Sequence, residues 1–359
     1  MHQEHLPSPT PPVQHLHLSA RLEDRIRAAA VRFLRSRGWT PRIEPYVGYG
    51  TEGSVRVLAR VLLSRPHRRA DLVWNRRGWR NYLTVSAPGE VVRASVTRTG
   101  AAGRDERLVV DLAADRDGYV DGMLDVALEP GWHDVQLATA SGAVATSRVF
   151  VVGPGRRLGV ISDIDDTVIS TSLPRPFIAA WNTFVRAESA RHVVPGMATM
   201  YRELLDEHPG APIVYVSTGA WNTSPHLNRF LKKHGYPLGP LLLTDWGPTN
   251  SGWFRSGQEH KRSCLHRLAN EFPNIRWLLV GDDGQHDPKI YGDFAEDRPD
   301  RVEAIAIREL TPTEQVLSHG LPVSNEELAP PRRHRRDVPV FRAPDGYGLL
   351  RILRVALQR

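Results

Sequence analysis

After residue 157 the chain alternates short apolar runs with stretches of helical spacing, and this alternation restricts its fold more than any other feature. The apolar runs are LGVIS (158–162), PIVYVST (212–218), GPLLLT (239–244), IRWLLVG (275–281) and VEAIAI (302–307). Helical spacing occupies 196–207, 224–234 and 257–271, the second opened by Thr223 or Ser224 before Pro225. Continuously apolar strands alternating with helices require a parallel sheet covered on both faces, an α/β doubly wound arrangement. In such sheets ligands bind outside the carboxyl ends of the strands, so those ends are where chemistry is expected.

The first run ends in Asp163-Ile164-Asp165-Asp166-Thr167. Three acids in four residues at the end of a buried strand repel one another unless a cation balances them. A capping turn would explain one such acid. The other strand ends argue for more: Ser217 and Thr218 stand before Gly219, and Gly281-Asp282-Asp283 is followed by Asp287. Lys261 falls in the first turns of the helix before that last strand. Carboxylates from separate strands suit Mg²⁺, a hard cation that keeps several waters and takes a phosphate oxygen. A hydroxyl and a lysine suit the remaining phosphate oxygens and the charge that builds in a transition state. One carboxylate can attack phosphorus, and a second, two residues on, can protonate the leaving alcohol and later activate water.

With these residues in place, the sequence resembles the haloacid dehalogenase (HAD) superfamily: DxDxT at 163–167, a serine at 217, a lysine at 261 and GDxxxxD at 282–287, in that order. The resemblance implies Asp163 as nucleophile and metal ligand. It implies Asp165 as general acid and base, with its main-chain carbonyl as a further ligand. Ser217, Thr218 and Lys261 would hold the phosphoryl group. Asp282 would complete the metal site, with Asp283 and Asp287 orienting it from behind. An acid at 165 implies a phosphatase. More narrowly, residues 158–310 are similar to the catalytic domain of the phosphatidate phosphatase family first named for yeast actin patches. The segments that carry this are DIDDTV, YVST, FLKKHGYPLGPLLLTDWG, HK and GDDGQHDPKIYGDF, with YVGYGT at 46–51 resembling the family's start. The Thr218-Gly219-Ala220-Trp221-Asn222 stretch departs from the family pattern.

Upstream, from Tyr46 to Val152, short β-type runs recur between turn signals such as Asp117-Gly118, Pro130-Gly131 and Ser141-Gly142. Period-two alternation at this spacing predicts an antiparallel β-sandwich. The expected organisation is a disordered tail and basic helix (1–40), the sandwich (41–153), a HAD-like catalytic domain (154–320) and a basic extension (321–359). GPGRR at 153–157 reads as the linker. The N-terminus lacks a charged start and apolar run, and no stretch reaches the ~18 apolar residues that span a bilayer. Cys264 is the single cysteine and excludes an intramolecular disulfide, so the expected location is cytoplasmic. A net charge of +7 favours anionic partners: phosphatidate or another phosphomonoester, an anionic membrane surface touched peripherally, and, ranked behind these, nucleic acid.

Three features stay open on sequence alone. The stripe Phe177, Ile178, Trp181, Phe184, Val185 suits core packing, and also a small cap that touches lipid. Trp246, Trp253, Phe254 and Arg255 raise the same question before Lys261. PPRRHRR at 330–336 and the amphipathic stretch at 349–357 could pack back or lie on a membrane. The competing readings are a phosphatase for a soluble, protein or nucleic-acid phosphomonoester, and a scaffold beside a silent domain.

Overall fold

The structure, a computed structural model, describes residues 28–65, 85–99, 105–155, 157–171, 191–244, 257–284, 286–311, 314 and 338–357. The stripe at 177–185, the aromatic residues at 246–254 and the basic run at 330–336 lie outside them.

The N-terminal region is built on one long strand. Val55, Val57, Ala59, Val61 and Leu63 alternate along it, so all five face one side and are buried. The strands are β1 (Thr40–Pro45), β2 (Gly48–Thr51), β3 (Ser54–Ser64), β4 (Val85–Ser86), β5 (Val91–Thr99), β6 (Asp105–Ala113), β7 (Tyr119–Asp125), β8 (Gly131–Thr139) and β9 (Val144–Val152). Hydrogen bonding links them in the order β1-β3-β2-β9-β8-β5-β6, with β4 and β7 branching from β3. All pairs are antiparallel except β2 with β9. Inward residues of β3, β5, β7, β8 and β9 share one apolar core.

The second sheet contains β10 (Arg157–Asp163), β13 (Ile213–Ala220), β14 (Leu241–Thr244), β15 (Ile275–Asp282), β16 (Val302–Arg308) and β17 (Val340–Ala343). Their order is β14-β13-β10-β15-β16-β17, and every pair is parallel. Between strands lie α1 (Met197–Glu207), α2 (Ser224–Lys233), α3 (Gly257–Glu271) and α4 (Asp287–Asp297); α5 (Gly346–Leu357) follows β17. A short antiparallel pair, β11 (Ile169–Thr171) with β12 (Arg191–Val193), stands just past the end of β10. The fold is thus mixed α/β, with one sheet wholly parallel and the other mostly antiparallel. Among the described residues no helix is long and apolar enough to cross a membrane.

Of the two options left open for the C-terminal stretch, residues 340–357 take the one in which it packs back on the domain. Val340–Ala343 pairs parallel with β16. Leu349, Leu350 and Leu353 of α5 are buried in the core of the parallel sheet. Arg354 bonds Glu207 and pairs with Glu203 of α1. A four-residue edge strand after a polar stretch leaves little periodic signal, which is why the sequence set it apart.

The two regions meet on aromatic rings and ion pairs. Trp221 stacks on Tyr46 at 4.8 Å and Tyr119 at 4.5 Å between centroids. Tyr49 packs near Phe272, Arg56 binds both Asp121 and Glu271, and Arg267 reaches Asp121. The departure at Trp221 noted in the sequence is therefore a packing residue against the N-terminal sheet.

Candidate active site

Asp163 is the last residue of the central strand β10, which has β13 and β15 as neighbours. At that level β13, which runs on to Ala220, carries Ser217, and β15 ends on Asp282. Lys261, in the second turn of α3, is 3% exposed and reaches in from the side. Its Nζ stands 2.7 Å from Asp163 Oδ1 as an ion pair and donates to Asp287 Oδ1 at 2.6 Å. Asp287 opens α4, where Gly281 makes room for it: a Cβ on Gly281 would stand 2.5 Å from Asp287 Oδ2.

Asp163, Asp282 and Asp287 are all buried, with carboxylate oxygens within 4.8 Å of one another. Asp282 Oδ1 accepts from the Gly284 N–H at 2.7 Å. Asp282 Oδ2, Asp287 Oδ2 and Asp163 Oδ2 accept no hydrogen bond among the described residues. Buried acceptors without donors are costly. Burial pushes the Asp163 carboxyl well above the usual range against the pull of Lys261, and pushes Asp282 up likewise, with Asp287 and Asp163 adding to it. Burial alone would lower the Lys261 ammonium, but Asp163, Asp287 and Asp282 outweigh it and hold it above its ordinary value. Three carboxylates facing one ammonium leave two negative charges over, which one divalent cation balances. An all-oxygen donor set suits a hard ion such as Mg²⁺.

The second acid stands beside this cluster. Asp165 Oδ2 accepts from Ser217 Oγ at 2.9 Å, and Ser217 Oγ accepts in turn from the Gly219 N–H at 2.9 Å. Ser217 is thus placed to orient Asp165, a contact the sequence did not reveal. Behind Asp163, Ser162 Oγ donates to the Asp163 carbonyl at 2.6 Å and accepts from Tyr201 Oη at 2.6 Å. Asp166 follows in left-handed conformation, φ 57°.

Of the residues singled out by sequence, the structure brings together Asp163, Asp282, Asp287 and Lys261, with Asp165 and Ser217 paired at their side. Thr218 is half-buried; its side chain lies against Gly257, and its carbonyl accepts from Thr244 Oγ1 at 2.8 Å. Asp283 turns away: its Oδ1 accepts the Leu310 N–H at 2.8 Å, tying the β15 end to the β16 end. The two acids grouped as supports thus separate, Asp287 entering the carboxylate cluster and Asp283 bracing a loop. Cys264 is buried, and burial pushes its thiol up to about 11, so it is a packing residue.

An aspartate at the end of a central parallel strand, a second two residues on, and a serine, lysine and acid cluster from the flanking elements thus meet at one end of the parallel sheet. Residues 158–309 match the model of the phosphatidate phosphatase APP1 catalytic domain. The chain is 29% identical over 171 residues to phosphatidate phosphatase APP1 of Saccharomyces cerevisiae, covering 47% of this chain and 29% of that protein. It is 25% identical over 154 residues to an uncharacterized protein of Schizosaccharomyces pombe, covering 43% and 25%. The matched part is therefore under a third of either relative. The solved HAD domain of effector protein Lem4 from Legionella pneumophila aligns with 14% identity and a TM-score of 0.30, over 44% of this chain and 88% of that one.

Proposed function

We propose that this chain is a Mg²⁺-dependent phosphatase that hydrolyses a phosphomonoester through an aspartyl-phosphate on Asp163, with phosphatidate as substrate and diacylglycerol and phosphate as products. The observation that supports it most is the buried Asp163–Asp282–Asp287 cluster facing Lys261, with the Asp165–Ser217 pair beside it. In this reading the parallel sheet is a HAD-like doubly wound one that includes 340–357, and the 41–153 region is a β-sandwich docked on it.

An Asp163 carboxylate oxygen attacks phosphorus as the bond to the alcohol oxygen breaks, and protonated Asp165 gives its proton to that oxygen. Asp165 then takes a proton from water, whose oxygen attacks the same phosphorus. The Asp163–phosphorus bond breaks, phosphate leaves, and both carboxyls return to their starting forms. Lys261 neutralises charge on the transferring group, while Ser217 holds Asp165 in place. Asp163, Asp282 and the Asp165 main-chain carbonyl would hold Mg²⁺, with Asp287 alongside, and the ion would supply positive charge to the phosphate oxygens.

Chelation with EDTA is expected to abolish turnover and added Mg²⁺ to restore it. Mg²⁺ should also raise the thermal midpoint, since an ion held only by the folded state stabilises it by about 2.7 kcal/mol at a hundredfold excess over Kd. Activity that survives exhaustive chelation, together with an unmoved midpoint, would contradict the metal assignment. Substrate is tested by phosphate release from dioleoyl phosphatidate in vesicles, a 3′-phosphorylated oligonucleotide and a generic aryl phosphate. Phosphatidate should be turned over with the highest kcat/KM. Preference for the oligonucleotide, or equal rates on all three, would reassign the enzyme to soluble phosphomonoesters.

A further inference from the structure

Arg308 ends β16, outside every motif used above, yet it is 5% exposed and lies beside the catalytic strand ends. It is the register partner of Asp282 across β15 and β16. Its Nη1 donates to the Asp166 carbonyl at 2.6 Å, its Nη2 to Glu314 Oε1 at 2.6 Å, and its Nε to the Pro344 carbonyl at 3.4 Å. Glu314 Oε1 also accepts from Ser170 Oγ at 2.9 Å, and Glu314 Oε2 accepts from the Thr311 N–H at 2.9 Å. One guanidinium thus ties the turn after Asp165 to β11, to the loop after β16 and to β17.

That turn needs such a tie. Asp166 has φ 57°, where a non-glycine residue persists only if its surroundings over-determine it. Within the turn, the Asp166 N–H donates to the Ile169 carbonyl at 2.8 Å, and the Val168 and Ile169 N–H groups donate to the Ile164 carbonyl. These bonds close the loop on itself; Arg308 anchors it to the sheet. The carbonyl that Arg308 holds belongs to the Asp166–Thr167 peptide, one residue past Asp165, so a shift there passes through Asp166 and swings the Asp165 carboxyl. Ser217 holds the carboxyl from one side, and the main chain must be held from the other.

The geometry points to Arg308, with Glu314 behind it, as the positioning residue that aims Asp165 at the leaving oxygen. This rests on the phosphatase reading above, in which Asp165 is the general acid. The planar fork explains why arginine is used: it meets two acceptors at fixed angles, which an ammonium does not. Burial alone would raise Glu314, but the hydrogen bonds from Arg308, Thr311 and Ser170 outweigh it and bring it down to about 2. The anchor therefore stays ionised over any working pH.

The test compares wild type, Arg308→Met, Arg308→Lys and Glu314→Gln by single-turnover alcohol release from an alkyl phosphate and from p-nitrophenyl phosphate. An alkoxide needs the proton from Asp165 and a nitrophenolate does not. Arg308→Met should lower the alkyl rate by about 30-fold, part of the roughly 10²–10⁴ that a general acid supplies, and the aryl rate by under about threefold. KM for both should hold within about twofold. Arg308→Lys should lose nearly as much, and Glu314→Gln less. In an Asp165→Asn background, adding Arg308→Met should cost nothing further. Equal loss on both substrates, or a full additional loss in that background, would overturn the assignment. If Arg308→Met does not fold, Arg308→Lys and Glu314→Gln decide the same two comparisons. Amide exchange at Asp166, Val168 and Ile169 supplies a readout free of activity: it should speed up in the Arg308 variants and not in Arg354→Met. Unchanged exchange would sink the anchor. A wild type inactive on every phosphomonoester would instead sink the phosphatase reading and leave the exchange result to judge Arg308.

Discussion

Asp163→Asn is expected to lose turnover by about 10⁴-fold or more, as removal of a nucleophile does in enzymes whose groups act as a unit, and to keep its fold. The amide has the shape of the carboxylate but cannot attack phosphorus. Stability should hold or rise in the absence of metal. Burial pushes the Asp163 carboxyl well above its ordinary range, so the ionised form is disfavoured where it stands, and a neutral amide removes that cost. Lys261 keeps its hydrogen bond to Asp287 in the variant. Circular dichroism and thermal midpoint should match wild type without Mg²⁺, while the midpoint shift on adding Mg²⁺ should shrink, because a ligand is gone. Near-normal phosphate release by Asp163→Asn would remove Asp163 from the chemistry. A variant that is inactive because unfolded would show it in the midpoint.

Each element is legible in the sequence only as far as its packing and partners leave a mark in residue identity. The strands LGVIS, IVYVST and IRWLLVG are apolar throughout because both faces of a parallel sheet are covered, and such runs stand out. Asp163, Asp165, Ser217 and Asp282 were legible because polar groups at the ends of such runs have no packing role. Lys261 was legible because it stands in the motif order between Ser217 and Asp282, on the helix that leads into the strand ending in Asp282. Arg308 was not, since its partner at Asp166 is a main-chain carbonyl 142 positions away, and main-chain acceptors leave no trace in residue identity. The split between Asp283 and Asp287 was illegible for a related reason: a carboxylate bonded to the Leu310 N–H and one bonded to Lys261 look alike in sequence. Trp221 read as a departure from a family pattern, but its cause, the Tyr46 and Tyr119 rings, lies in the other sheet. The short edge strand Val340–Ala343 was hidden by its length and by the polar residues before it.

Lys261→Met is expected to strike stability and activity together, and pH should separate the two. In wild type the ammonium is the one cation that reaches Asp163 and Asp287 among the described residues. Methionine fills similar volume but leaves the carboxylates unbalanced, and breaking a buried ion pair by removing one partner costs about 3–5 kcal/mol. The sign of the pH dependence follows from the acids left behind. Asp163 and Asp282 already have carboxyl pKa values raised in the folded state, and losing Lys261 raises them further. Groups that bind protons more tightly when folded favour the folded state as pH falls. The midpoint of Lys261→Met should therefore be lowest at neutral pH and above, and should approach wild type toward the acidic range where the buried carboxyls protonate. Mg²⁺ at neutral pH should recover part of the loss, because it supplies the same charge. Activity should not follow that recovery: with Mg²⁺ present and the fold restored, kcat should remain about 10²–10³-fold down, the usual loss when one preorganised charge aimed at the transition state is removed. A midpoint difference that stays constant from acid to neutral pH would mean that Lys261 packs rather than balances charge. Full activity once Mg²⁺ has restored the midpoint would mean that it holds the acids and does not touch the transferring phosphoryl group.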